Sequence, residues 1–294
     1  MTRLASMPRV APAPWPPEPP FDMPPAQTVR VPGRGEFFLR DTGGQGTPVM
    51  LLHGWMASAD LNWCGAYGSL TDAGFRVLAI DHRGHGRGLR PLVPFQLVDC
   101  AADAAAVLRT LDLPPAVVVG YSMGGAVAQL VARDHPDVAS GVVLSGTAQH
   151  FQDPRSRRSF WAMGAAGIPL SLAPRVAWRR GLARAGIPEN QRTAWVQSEL
   201  MRHSVSDIVA AGRELGRFDS RSWLSSIDLP FAAVITTRDE AVPVSRQREL
   251  AQACRARVFE VPIRHMDIVM RAGQYNPALL EALNTLPTHV AQAA

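Results

Sequence analysis

Residues 116–134 read AVVVGYSMGGAVAQLVARD, and this stretch decides the fold. Val117, Val118 and Val119 form an uninterrupted β-branched run, the pattern of a strand buried on both faces. Beyond Gly124, polar Gln129, Arg133 and Asp134 interleave with Val127, Leu130 and Val131 at helical spacing, and Pro136 ends the helix. Between the two lie Gly120, Tyr121, Ser122, Met123 and Gly124. A G-x-S-x-G segment carries chemistry where a strand turns sharply into a helix, because the strained turn lifts the serine hydroxyl above the sheet edge. The turn also points that oxygen toward the positive end of the helix, which stabilises negative charge developing nearby. Taken alone, the five residues also fit an ordinary glycine-rich turn.

Outward from this stretch, strands and helices alternate. Glu36–Arg40 reads as a short edge strand, followed by buried runs at Val49–Leu52, Arg76–Ile80, Val142–Leu144, Phe231–Thr236 and Arg257–Ile263. Helices are expected at Leu97–Leu111 and Ser245–Cys254. The fold class is therefore α/β, a mostly parallel sheet flanked by helices, with ligand chemistry at the carboxyl ends of the strands. The rhythm breaks between 150 and 222, where arginine, alanine and tryptophan are frequent and Gly-Ile-Pro occurs twice, ending at Pro169 and Pro188. Short helices inserted there would cap the site. The expected organisation is a proline-rich, extended or disordered tail at 1–32, a core at 33–149 and 223–294, and a helical cap at 150–222.

Composition narrows the function. The tail holds ten of the 25 prolines without regular spacing, which argues for a linker over a polyproline ligand. All 30 basic residues are arginine, and the absence of lysine excludes Schiff-base chemistry, pyridoxal phosphate anchoring and a P-loop. Twelve arginines against six acids in 150–222 account for the net charge of +5. No recognition motif accompanies that charge, so a solvated face is expected, with no nucleic acid and at most weak contact between the arginine-rich cap and anionic membrane surfaces. Cys64, Cys100 and Cys254 lack paired metal or redox spacing. With no run long enough to span a membrane and no apolar leader, the expected location is cytoplasmic.

A serine hydroxyl is a weak nucleophile until a base removes its proton. Downstream, Asp239 follows the run Phe231–Thr236, and His265 follows the run ending at Ile263, each at a strand's carboxyl end. The order Ser122, Asp239, His265 suits this strand–turn–helix architecture. Oxyanion donors are expected from the amide of Met123 and from the loop His53-Gly54-Trp55, where the amide of Trp55 is the candidate and its indole is expected to line the pocket. His53, Gly54, Tyr121, Trp161 and Trp195 are the expected substrate contacts, the last two from the cap. Asp81, His82 and His85 could also be read as metal ligands, but a glycine-rich loop offers them no fixed face.

With GYSMG, HGW and the segment Asp81-His82-Arg83-Gly84-His85-Gly86 in place, the chain resembles the α/β-hydrolase superfamily over about residues 36–286. The resemblance implies eight strands, a helical cap after the sixth, and neither metal nor cofactor. It departs at Arg238 and Arg264, where relatives often carry glycine, and at Arg87, where serine is frequent. The nucleophile is serine, so relatives that use aspartate do not apply. The expected activity is cleavage of carboxylic esters or thioesters through an acyl-enzyme, on a small-molecule or lipid-like substrate with a hydrophobic acyl or alcohol portion. The alternatives are acyl transfer, cofactor-free perhydrolysis, carbon–carbon bond hydrolysis, or a slow-turnover ligand receptor.

Overall fold

A computed structural model describes residues 17–287 apart from 153–157, 159–161, 163–166, 168–169 and 185–186. Among the described residues, eight strands form one sheet: β1 (Ala26–Val31), β2 (Gly35–Asp41), β3 (Pro48–Leu52), β4 (Arg76–Ile80), β5 (Ala116–Tyr121), β6 (Ala139–Ser145), β7 (Phe231–Thr236) and β8 (Arg257–Val261). Their order is β1-β2-β4-β3-β5-β6-β7-β8. β1 and β2 run antiparallel to their neighbours, and every other pairing is parallel. The strands β3, β5 and β7 are buried at every residue, which is why their sequences are unbroken apolar runs.

Helices cover both faces. α1 (Ala59–Trp63) and α2 (Tyr67–Asp72) follow β3, α3 (Leu97–Thr110) follows β4, and α4 (Met123–Asp134) follows β5. Between β6 and β7 the chain forms α5 (Pro174–Arg184), α6 (Gln191–Leu200) and α7 (Val205–Arg217), then continues through α8 (Val244–Ala253), α9 (Asp267–Met270) and α10 (Ala272–Leu283). One core layer joins α3, α4 and α8 to the sheet, through residues such as Leu108, Val127, Leu130 and Leu250. The other joins α1, α2 and α10, through Trp63, Tyr67, Leu279 and Leu283.

Two expectations about the N-terminal part change. Residues 26–31, assigned to the tail, form β1, and this strand rather than Glu36–Arg40 is the sheet edge. Its ladder with β2 satisfies the backbone groups on its inner side, where a proline would have had no N–H to donate. Phe21 packs edge-on against Trp195 of α6 at 6.5 Å, and Arg40 donates to the carbonyl of Pro24 at 2.6 Å, so the proline segment lies against the body of the protein there. The helical insertion has a closed neck: a bridge pairs His150 with Asp219, and the Ser220 amide donates to the Gln149 carbonyl at 2.8 Å. The three cysteines are buried and free, with burial pushing the thiols up, Cys64 to about 12 and Cys254 to about 11. No helix among the described residues is long and apolar enough to cross a membrane.

Candidate active site

Ser122 links β5 to α4 at φ 54° and ψ −117°, a region that L-residues other than glycine rarely occupy. The turn is compact because its glycines leave no room for side chains. A Cβ on Gly120 would lie 2.2 Å from the Gly124 carbonyl oxygen, and one on Gly124 would lie 2.1 Å from that of Leu52. The Ser122 carbonyl accepts from the Gly125 amide at 2.9 Å and from Thr147 Oγ1 at 2.8 Å, so the strained residue is held from the helix and from the end of β6.

The parallel pair β7 and β8 delivers the other two groups to the same rim. Asp239 Oδ2 lies 2.8 Å from His265 Nδ1, and His265 Nε2 lies 3.0 Å from Ser122 Oγ. Asp239 is fully supported: Oδ1 accepts the amides of Ala241 and Val242 at 2.8 Å, and Oδ2 accepts Thr236 Oγ1 at 2.6 Å and Gln247 Nε2 at 3.2 Å. Burial pushes this carboxyl up, but the hydrogen bond and charge of His265, with Thr236 and the Val242 amide, outweigh it and hold the group below the usual carboxylate range. An ionised Asp239 can only accept, so the imidazole proton sits on Nδ1 and Nε2 presents its lone pair to the serine hydroxyl. Ser122 is 8% exposed and the His265 side chain 11%, so water reaches this pair from one side.

The expected oxyanion residues lie on the neighbouring elements. Met123 is the first residue of α4, where backbone amides have no partner within the helix. Gly54 meets the nucleophile: a Cβ there would lie 3.3 Å from the Ser122 Cβ. The Trp55 indole does not simply line a pocket, because its Nε1 donates to the Ile208 carbonyl of α7 at 2.8 Å.

The expected substrate contacts divide. His53 is fully buried; its Nε2 accepts the His82 amide at 2.9 Å, so Nδ1 carries the proton and donates to the Gly54 carbonyl at 2.8 Å. It is a strut under the loop rather than a ligand contact. Tyr121 is 4% exposed, packs edge-on against Trp63, and donates its hydroxyl to the His265 carbonyl. Its place is behind the histidine, supporting it. Trp195, 4% exposed, is buried on α6 with its ring against Phe21 of the N-terminal segment. Trp161 lies outside the described residues.

Sequence reasoning missed Thr236 and Gln247, whose contacts with Asp239 depend on the packing of α8 beside β7. It also missed a buried charge network. Arg87 lies within 3.0–3.2 Å of Asp60, Asp81 and Glu199 and stacks over Phe38 at 3.9 Å. Arg238 and Arg264 are exposed, and Arg264 pairs with Asp267 at 3.7 Å. The rings of His82 and His85 pack with His53 at centroid distances of 4.3 and 5.4 Å. Among the described residues, no group of three or more His, Cys, Asp or Glu is placed to hold a metal ion.

A family model described as the alpha/beta hydrolase fold matches residues 47–269. A non-heme chloroperoxidase of Streptomyces lividans is 41% identical over 121 residues, 40% of this chain and 44% of that protein, so the chain matches less than half of that relative's length. The pimeloyl-[acyl-carrier protein] methyl ester esterase of Chromobacterium violaceum is 28% identical over 258 residues, covering 83% of this chain and 97% of that one. Among solved structures, an esterase from Exiguobacterium antarcticum superposes with a TM-score of 0.73 at 19% identity, over 87% of this chain and 98% of that one, a likeness of fold.

Proposed function

The chain belongs to the alpha/beta hydrolase fold family, and from that footing we propose that it is a serine hydrolase cleaving carboxylic esters or thioesters through an acyl-enzyme. The observation that carries this reading is the unbroken chain from Asp239 through His265 to Ser122, at 2.8 and 3.0 Å. Ser122 Oγ attacks the acyl carbon while its proton passes to His265 Nε2. Asp239 keeps the Nδ1 proton in place and balances the imidazolium that forms. Negative charge gathering on the acyl oxygen is held by the amides of Met123 and Trp55. The leaving alcohol or thiol then takes the proton from Nε2. A water molecule, deprotonated by the same nitrogen, attacks the acyl-serine, releases the carboxylic acid and restores the hydroxyl. The half-buried indole of Trp55, on the loop that meets Ser122, supports an apolar acyl or alcohol portion of small to medium size.

A fluorophosphonate probe tests the assignment directly. Covalent modification mapped to Ser122 by mass spectrometry is the expected outcome, and modification elsewhere or nowhere rejects it. A panel of nitrophenyl esters from acetate to palmitate tests the apolar portion, which a strict preference for acetate would contradict.

A second reading is favoured by the 41% identity to a protein named a non-heme chloroperoxidase, a name that denotes peroxide chemistry. Hydrogen peroxide would then replace water in attacking the acyl-serine, giving a peracid and the free hydroxyl. Peracid formation in the presence of a short ester and peroxide, abolished in Ser122→Ala, distinguishes it.

A further inference from the structure

The loop after β3 is held at three successive places by one stretch of the cap. The Trp55 indole donates to the Ile208 carbonyl at 2.8 Å. The Met56 carbonyl meets His203 Nε2 at 3.1 Å. Ser58 Oγ donates to Glu199 Oε2 at 2.7 Å. Met56 sits at φ 59°, a left-handed conformation that is unfavourable for a residue with a β-carbon and persists where the surroundings enforce it. From the core side the two ends of the same loop are held. The Gly54 amide donates to Asn62 Oδ1 at 2.9 Å, the Gly54 carbonyl accepts from His53 Nδ1 at 2.8 Å and from the Ala57 amide at 3.2 Å, and the Ala59 amide donates to Asp81 Oδ1 at 2.6 Å, while the Met56 carbonyl between them is met from the cap.

His203 is the pivot of these ties. Its Nδ1 accepts the Gly86 amide at 2.9 Å, and an amide can only donate, so the ring proton must sit on Nε2 and point at the Met56 carbonyl. The bond pattern fits only the neutral imidazole. Burial, with the nearby His53 ring and the Arg90 and Arg87 guanidiniums, pushes His203 down to about 3, so this tautomer persists through the neutral range. One ring therefore joins the cap, the loop after β3 and the loop after β4. Glu199, buried at 2% exposure beside Ser58, pairs with Arg87 at 3.2 Å and Arg202 at 2.8 Å.

We propose that the cap segment Glu199–Ile208 positions the oxyanion loop, with His203 as the residue that sets the Met56 carbonyl and thereby aims the adjoining Trp55 amide at the substrate's acyl oxygen. The inference rests on the serine-hydrolase reading above and extends it: the cap completes the transition-state site as well as roofing it. His203 is a positioning residue, since it touches neither the reacting serine nor the imidazole that activates it.

Two substitutions separate this role from simple packing. In His203→Gln the amide nitrogen can occupy the place of Nε2 and keep the donor to Met56. In His203→Asn the side chain reaches only the place of Nδ1 and keeps the bond to Gly86 while losing Met56. His203→Asn should lower kcat for a nitrophenyl ester about tenfold, less than the hundredfold or more for outright loss of an oxyanion donor, with KM within twofold. His203→Gln should recover kcat to within about threefold of wild type. Fluorophosphonate labelling of Ser122 should slow in parallel with kcat, because its attack builds charge on the same oxygen. Trp55→Phe, which removes the indole N–H and keeps the backbone amide, gives the same kcat-selective loss and serves if His203→Asn does not fold. Equal kcat in the Asn and Gln variants, or a rise in KM with kcat kept, overturns the cap's role while labelled wild-type enzyme leaves the hydrolase reading standing. Wild-type protein that resists labelling removes the reading and the proposal together.

Discussion

Lowering the pH from 7.5 to 5 should strongly destabilise this protein, because four imidazoles, three of them buried, are packed in one cluster in their neutral form. His53, His82 and His85 pack ring against ring, and His203 joins at 5.6 Å from His85. Burial pushes His53 down to about 4 and His203 to about 3, and it holds His82 and His85 well below the ordinary imidazole range. Among the described residues, neither nitrogen of His82 has a hydrogen-bond partner and His85 Nε2 has none, so no described carboxylate is paired with these atoms to receive a charged ring. Unfolded, each imidazole ionises near pH 6.5, so below that value the unfolded chain binds more protons and stability falls as pH falls. At pH 5 the loss is about 2 kcal/mol for each ring that stays neutral in the fold, and ~8 kcal/mol for four. That equals a large share of the roughly 5–15 kcal/mol that holds a domain together. Asp81, pushed up by burial, works in the opposite sense by taking up a proton in the folded state, and recovers part of the loss. Guanidinium melts at pH 7.5, 6.5, 5.5 and 5 should give an uptake of about two to four protons on unfolding at pH 5.5. His82→Leu should remove close to one proton from that slope. A slope of less than one proton, or stability that rises on acidification, would refute the reasoning.

Other perturbations act on the site itself. Ser122→Ala should reduce kcat about 10⁶-fold with the thermal midpoint retained, and more than a few per cent residual ester turnover contradicts the assignment. Asp239→Asn should cost about 10⁴-fold, because an amide at that place no longer fixes the proton on His265 Nδ1, and steady-state kinetics on the same ester measures it. Gly124→Ala brings a Cβ to 2.1 Å from the Leu52 carbonyl oxygen, so the turn must open. The expected loss is about 3 kcal/mol of stability by chemical denaturation, and an unchanged midpoint would show that the turn tolerates a side chain.

Where a physical demand falls on a residue's own identity, the sequence was readable. β3, β5 and β7 are buried on both faces, and their apolar runs announced it. Ser122, Asp239 and His265 could be singled out because each follows a strand at the edge where parallel sheets gather chemistry, and the structure brings the three side chains within hydrogen-bond distance. β1 was missed because the prolines before it dominated the reading, although its second half already alternates between exposed and buried residues. A motif gives a residue's place along the backbone but not the direction of its side chain. Tyr121 and His53 therefore lay in the right segments, yet turn inward as supports of the histidine loop and of Gly54. Glu199 and Gln247 on helices, and His203 in the turn between α6 and α7, gave no signal, since a polar residue on a helix or in a turn looks solvated until its tertiary partner is known.

Ser122 follows β5 in the middle of the sheet, while Asp239 and His265 follow β7 and β8, which are covered by the last helix described, α10. During synthesis the growing polypeptide can therefore bury most of its core and present a finished serine turn long before the imidazole leaves the ribosome. Until the segment carrying β7, β8 and α10 emerges and docks, the nascent molecule carries the Ser122 hydroxyl without the imidazole of His265 beside it.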